Sequence, residues 1–310
     1  MLAQTPETAI RLEGLTKRFG RGKRGVMAAI DLNLTIPTGQ VFGFLGPNGA
    51  GKTTTIRMLL DLIRPTQGAA FIFGQDVRRS HAILLRVGAL VEGAAFYPFL
   101  TGRRNLEVLS RTADRYDLAR IDALLEQVGL AARARQRVKG YSSGMKQRLG
   151  LAAALLSDPD VLILDEPTNG LDPAGMQEVR LFIREQADRH GKTVFLSSHL
   201  LGEVEQICDR VAIIHHGRIV REGAVRQLLT DKARIRIEAE PVDQAAALLA
   251  ERWPLSPDGG ALIVEAPRTD APHITRRLVE AGISVFHIAT ERQTLEEYFL
   301  EATRAEDCHD

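Results

Sequence analysis

Cysteine is almost missing from this chain of 310 residues: only Cys208 and Cys308 occur, far apart. Two such thiols do not make a disulfide framework, and the usage suits a reducing cytosol. Long apolar runs are missing too. The longest candidate, Leu149–Leu156, is short and contains a glycine, whereas a spanning helix needs roughly 18 residues or more; the chain is not expected to cross a membrane itself. Met1–Ile10 carries no basic patch followed by an apolar run, so no signal peptide is expected. Neither sign of charge prevails, with 40 Lys and Arg against 39 Asp and Glu for a net charge of +1. That balance gives no support to a nucleic-acid or anionic-membrane surface. No short repeat or low-complexity tract is evident. What is present is 45% apolar content, enough for the core of one large or two ordinary domains.

One stretch organises the rest. Gly46-Pro47-Asn48-Gly49-Ala50-Gly51-Lys52-Thr53-Thr54 fits G-x-x-x-x-G-K-[ST], a loop that cradles phosphate. An apolar strand, Gln40–Leu45, runs into it. A helix, expected over Thr53–Leu62, runs out of it with Ile56, Leu59, Leu60 and Ile63 at helical spacing. Glycines let backbone N–H groups curl around an anion with no Cβ in the way. The helix N-terminus and Lys52 add positive charge. Gly46, Asn48, Gly49, Gly51, Lys52, Thr53 and Thr54 are therefore candidate nucleotide contacts, with Thr53 placed to ligate Mg2+.

Around this loop the pattern is α/β. Ile10–Gly20 reads as a strand and turn, Arg21–Arg24 as a basic loop tip, and Ala28–Ile36 as a half-buried antiparallel strand. Pro65–Gly68 is expected to turn, followed by strands at Ala69–Phe73 and Val87–Val91. From about Tyr97 to Leu156 the apolar spacing becomes helical, with helices expected at Asn105–Ala113, Ala119–Gly129 and Gly144–Leu156. Strand character returns at Val161–Leu164, a run suited to burial on both faces. A helix at Ala174–Arg189, a strand at Thr193–Ser197, a helix at Leu200–Cys208 and a strand at Val211–His215 follow, the alternation of a mostly parallel sheet. Near Leu229 a new, smaller α/β pattern begins. Its strands are expected at Ala233–Glu240, Ala261–Glu265 and Ile283–Ala289, and its helices at Val242–Arg252, Pro272–Ala281 and Leu295–Ala302. Ser256–Gly260 is expected to be a surface turn and Ala305–Asp310 to fray.

A phosphate loop does not by itself separate GTPases, kinases and ATPases. Asp165 and Glu166 add more: two carboxylates close a buried strand, at the end where α/β sheets place ligands. Asp165 is expected to hold Mg2+ with Thr53, and Glu166 to act as general base on a water. Pro167 also suits a helix start, so an acidic strand end that merely caps a helix is the bland alternative.

Tyr141–Arg148 upstream of that strand, Asn169–Asp172 after it and Ser197-Ser198-His199 complete a set whose order and spacing resemble the nucleotide-binding subunits of ATP-binding cassette (ABC) transporters. The resemblance covers roughly residues 10–229. It implies a P-loop NTPase core of the ABC ATPase type: a mostly parallel sheet, an antiparallel subdomain and a helical insert at about 97–156. A small C-terminal α/β module at about 230–304 follows. It further implies that Phe19 stacks on adenine, although Phe19 alone fits a core position equally well. Ser142 and Gly144 fall on the family's signature, Asp172 on its D-loop and His199 on its switch histidine. Lys52 grips phosphate, and Glu166, His199 and Lys52 make the catalytic set.

Two positions depart from the family. Its Leu-Ser-Gly-Gly-Gln signature is here Tyr141-Ser142-Ser143-Gly144-Met145. Its glutamine-loop residue aligns with Glu92, a variant similar to that of the bacitracin- and lantibiotic-exporter branch. Glu92 is then a candidate nucleotide and Mg2+ contact, with a solvated loop carboxylate as the alternative. Since one chain's signature completes another's ATP site, the resemblance implies a symmetric homodimer. It also implies a separate integral-membrane permease, a place at the cytoplasmic face of the membrane, and drug or antibiotic efflux driven by ATP and Mg2+. No nucleic-acid partner is expected. The main rival, a cassette ATPase acting on ribosomes or DNA, usually carries two cassettes or a long coiled-coil insert; neither is evident in the sequence.

Overall fold

The computed structural model describes residues 8–20, 25–92, 95–112, 116–230, 233–292 and 294–300. Some expectations fall outside these residues: the stretch before Thr8, the basic tip Arg21–Arg24, Gly93 and Ala94, Ala113, Cys308 and the tail from Glu301. The chain separates into two compact units, Met1–Glu222 and Gly223–Asp310.

The first unit opens with β1 (Thr8–Phe19), β2 (Val26–Pro37) and β3 (Val41–Leu45), then α1 (Lys52–Leu59), β4 (Gln67–Ile72) and β5 (Gln75–Asp76). A 3-10 turn at His81–Arg86 precedes β6 (Val87–Leu90). Three helices follow, α2 (Gly102–Thr112), α3 (Leu118–Gln127) and α4 (Ser143–Ala154). Then come β7 (Val161–Asp165), α5 (Pro173–Asp188), β8 (Thr193–Ser198), α6 (Leu201–Ile207), β9 (Arg210–His215) and β10 (Arg218–Ala224).

Two sheets result. One has the order β2-β1-β4-β5, and β1 pairs antiparallel with both β2 and β4. In β2, Leu32, Leu34 and Ile36 are buried while Asp31, Asn33 and Thr35 are exposed, the alternation of a strand with one wet face. The other sheet has the order β10-β9-β3-β8-β7-β6. Its β9-β3, β3-β8, β8-β7 and β7-β6 pairs are all parallel. Every residue of β3, β7 and β8 is buried, as strands covered on both faces require. Phe44 and Phe195 pack with ring centroids 5.5 Å apart. They share one core with Ile10, Leu12 and Leu15 of β1 and with Ile56 and Leu59 of α1. Burying a side chain of this size contributes about 1.5–3 kcal/mol, so this core fixes the loop between β3 and α1 against both sheets.

Helices α2 to α4 fill the stretch expected to be helical. Asn105 of α2 accepts from Tyr97 N at 2.8 Å and donates to Tyr97 O and Thr101 O at 3.1 and 3.0 Å. The segment that enters this helical region is thereby pinned to its first helix.

The second unit comprises α7 (Val225–Thr230), β11 (Ala233–Glu240), α8 (Val242–Ala250), β12 (Leu255–Asp258), β13 (Ala261–Glu265), α9 (Ala271–Glu280) and β14 (Ser284–Arg292). Its sheet order is β12-β13-β11-β14, the split βαβ arrangement. Ile235, Ile237, Leu249, Trp253, Val264, Ile274 and Leu278 form its own core. A last helix at 295–300 starts with a reciprocal cap: Thr294 N donates to Glu297 Oε2 at 3.1 Å and Glu297 N to Thr294 Oγ1 at 3.2 Å, the capping-box geometry.

Several boundaries differ from the sequence-based expectation. Ser256–Asp258 lie in β12, paired with β13, and are not a turn. The turn is Gly259-Gly260 alone, with φ of 54° and 95°; a two-residue hairpin turn with both φ positive favours glycine at both places. Helix α1 stops at Leu59, three residues early, and Asp61 has φ 52°. Gln67 and Gly68 belong to β4 rather than to a turn. Short β5, β10 and α7 were not expected at all; β10 follows β9 after the two positive-φ residues His216 and Gly217.

Candidate functional site

The loop after β3 is built as its glycines demand. Gly51 caps α1 with φ 107°, and a Cβ there would lie 2.1 Å from Ala28 O. A Cβ on Gly46 would lie 2.3 Å from Ile214 O. Gly49 has φ 83° and open space around it. Two of these glycines are therefore fixed by close backbone approach and the third by conformation. Lys52 is only 5% exposed. Its Nζ donates to Gly46 O at 2.8 Å and Pro47 O at 3.2 Å, and lies 3.3 Å from Glu166 Oε1.

The ends of β7 and β8 meet this loop. Thr53 Oγ1 donates to Asp165 Oδ2 at 2.8 Å. Ser197 Oγ donates to Asp165 Oδ1 at 2.5 Å and accepts from Glu166 N at 3.0 Å. Asp165 is 7% exposed. His199 Nδ1 lies 3.0 Å from Glu166 Oε2, so the Glu166 carboxylate is approached by a lysine on one oxygen and a histidine on the other. Glu166 has φ 48°, a left-handed backbone that costs a side-chain-bearing residue about 1–3 kcal/mol and is typical of functional loops. Lys52, Thr53, Asp165, Glu166, Ser197 and His199 thus converge at the C-terminal ends of parallel strands, where this class of sheet places its ligands.

Ser142, Gly144 and Asp172 are gathered elsewhere. They line a separate concavity of about 380 Å³ with Ser143, Gly170 and Leu171. Ser142 Oγ caps α4 by accepting from Met145 N at 3.3 Å, and Asp172 Oδ1 caps α5 by accepting from Gly175 N at 3.2 Å. A Cβ on Gly144 would find only Leu171 Cδ2, at 3.7 Å, which is ordinary contact. Phe19 is 43% exposed, with Lys17 Nζ 5.0 Å from its ring centre, so it is not a core residue. Asn48 is exposed and Thr54 half-buried.

These parts have known counterparts. Residues 30–169 match the sequence profile of the family described as ABC transporter. The daunorubicin resistance ATP-binding protein DrrA3 of Streptomyces coeruleorubidus is 41% identical over 311 residues, covering 96% of each chain. The chain belongs to the ATP-binding proteins of ABC transporters, the ATPases of that family. The bacitracin transport ATP-binding protein BcrA of Bacillus licheniformis is 39% identical over 300 residues, covering 94% of this chain and 96% of its own. Among solved structures, the fold matches the ATP-binding cassette MJ0796, a dimer bound to ADP and Pi. That match has a TM-score of 0.64 and 24% identity over 70% of this chain and 99% of that one.

Within the ABC fold, the two departures from the family pattern have local explanations. Tyr141 is 5% exposed and its hydroxyl donates to Arg133 O at 2.8 Å. Burial pushes its phenol above the usual range. The tyrosine is a packing residue of the helical region, and Gly102 makes room for it, since a Cβ there would lie 2.3 Å from its oxygen. Glu92, with φ 54°, pairs with Arg57 of α1 and stays 58% exposed. It is drawn to that guanidinium rather than joined to the Thr53–Asp165 pair. Arg57 was not singled out from sequence, and Ser197 was read only as part of the Ser197-Ser198-His199 motif, with no role of its own. For Ser197 the signal was available: a hydroxyl ending an apolar strand two places before the histidine.

Proposed function

We propose that the chain is the ATP-hydrolysing subunit of an ABC exporter. It powers efflux of a drug or antibiotic peptide through a separate membrane permease, and works as a homodimer at the cytoplasmic face of the membrane. The proposed ATPase domain is residues 10–229, with its helical insert at about 97–156, and the proposed C-terminal α/β domain is 230–304; the two compact units divide a few residues earlier, after Glu222. The observation that carries this reading is the convergence of Lys52, Thr53, Asp165, Glu166 and His199 on one loop. The names of the bacitracin and daunorubicin relatives support the exporter assignment.

ATP binds with its phosphates over the loop amides between Gly46 and Thr54. Lys52 exchanges its bonds to the Gly46 and Pro47 carbonyls for phosphate oxygens, a stronger charge-assisted contact. The Thr53 hydroxyl and the Asp165 carboxylate are hard oxygen donors already in contact, the type that suits Mg2+. They would hold that ion, which when bound with ATP neutralises charge on the phosphates. Glu166 takes a proton from the attacking water as general base, held in place by Ser197 at its backbone and His199 at its carboxylate. His199 contacts the terminal phosphate and registers its loss. Phe19, exposed, stacks on adenine for on the order of 1–3 kcal/mol by analogy with base–aromatic stacking. Glu92 reaches the nucleotide site only by leaving Arg57.

Ser142, Gly144 and Asp172 serve the partner's nucleotide. Among the described residues no crowding explains Gly144, and a glycine there fits the close approach of a partner's nucleotide. Among the described residues no helix is long and apolar enough to span a membrane, which supports a permease on a separate chain. Co-purification from membranes with a polytopic protein, and ATP hydrolysis lost in Glu166→Gln, test the reading. A chain that binds only ribosomes or DNA would overturn it.

A further inference from the structure

The loops after β7 and β8 are joined at three levels. At the strand ends, Ser197 bonds Asp165 and Glu166 N. One step further out, His199 meets Glu166. Outermost, Thr168 Oγ1 donates to Glu203 Oε2 of α6 at 2.6 Å. Thr168 is 4% exposed. The other carboxylate oxygen, Glu203 Oε1, is buried with no hydrogen-bond partner among the described residues. Glu203 as a whole is half-buried, but a carboxylate oxygen enclosed without a partner is costly.

The first two links are made by groups at the nucleotide site, and phosphate will compete for them. The third uses no such group. Its donor sits two residues past Glu166 and its carbonyl accepts from Leu171 N at 3.2 Å, immediately before Asp172. On the other side of the same segment, Gln147 of α4 donates to Pro167 O at 2.6 Å. The Thr168 segment is therefore tied both to the helix that carries Ser142 and Gly144 and to the helix that follows His199.

We propose that Glu203 is a positioning residue. Through Thr168 it couples the His199 loop to the Gly170–Asp172 segment, so that a change at one nucleotide is felt where this chain faces its partner. The inference rests on the two-nucleotide dimer proposed above. It gives the half-buried carboxylate a use: Glu203 keeps its grip on Thr168 while His199 changes partners.

The test is steady-state ATP hydrolysis by the full-length chain against MgATP concentration, with urea unfolding run beside it. Thr168→Val and Glu203→Ala should each lower kcat about five- to tenfold, the worth of one well-made hydrogen bond, with KM within about twofold. The double variant should lose no more than the worse single, because both remove one link. Glu203→Gln should keep at least about half of kcat, since its carbonyl still accepts from Thr168. Wild-type kcat in both singles, additive losses in the double, or a Glu203→Gln as poor as Glu203→Ala overturns the inference and leaves the ATPase reading standing. A wild-type chain that does not hydrolyse ATP removes both.

Discussion

Two polar regions of the first unit are built on opposite principles. Around Lys52, Asp165, Glu166, Ser197 and His199 the functional groups of this chain bond to one another. Around Ser142, Gly144 and Asp172 the two polar side chains cap helices, and among the described residues a Cβ on the glycine would meet only Leu171, at ordinary contact distance. The first region is preorganised, with its charges satisfied while they wait. The second is a surface finished to receive something. The difference teaches that one polar region is completed within the chain while the other is not; in the proposed dimer each chain would supply the edge that the other's site lacks.

The largest expected effect lies in the self-satisfied region. Glu166→Gln removes the base and keeps the shape, so kcat for phosphate release should fall by about 10²–10⁴-fold while nucleotide binding, read by equilibrium dialysis, persists. Unchanged hydrolysis would take the base assignment away. Gly51→Ala attacks the same region through its backbone. At φ 107°, with Ala28 O in the way, it should cost about 1–3 kcal/mol in urea unfolding and weaken ATP binding at least about tenfold, since the loop amides lose their aim. Gly144→Ala probes the waiting surface. It should leave folding stability equal or raise it by about 0.4–1 kcal/mol, yet lower kcat by about tenfold or more. Parallel loss of stability and activity would mean that the glycine serves its own chain. The smallest effect on the isolated subunit is expected at Glu92→Ala. The Arg57 pair is exposed, so stability should move by at most about 1 kcal/mol and ATP affinity by less than about twofold. Transport measured with the permease in vesicles should be lost, since the family resemblance implies that the glutamine-loop position links the magnesium site to the transport subunit; fully coupled transport would take Glu92 out of that role.

The sequence made the preorganised region legible because its parts are local. A glycine loop between strand and helix, a carboxylate pair ending an apolar run, and a histidine after a second apolar run each carry their own pattern. The buried strands Val161–Asp165 and Thr193–Ser198 were readable from apolar length alone. What escaped depended on partners distant in sequence. Arg57 and Glu92 are 35 positions apart, as are Thr168 and Glu203, and nothing local announces either pair. The β12 strand was hidden by Ser256-Pro257-Asp258, turn-like residues held extended because Gly259-Gly260 closes the hairpin and Pro257 sits in an edge strand, where its missing N–H costs no ladder bond. Tyr141 read as a departure from a motif until its buried ring and its hydrogen bond to Arg133 O made it a packing residue.

The most direct measurement is the mass of the Glu166→Gln chain by sedimentation, with and without saturating MgATP. The account predicts a monomer without nucleotide and a dimer holding two ATP with it, the dimer dissolving when Gly144→Ala is added. A particle that stays monomeric at saturating MgATP, alone and together with its permease, would contradict it.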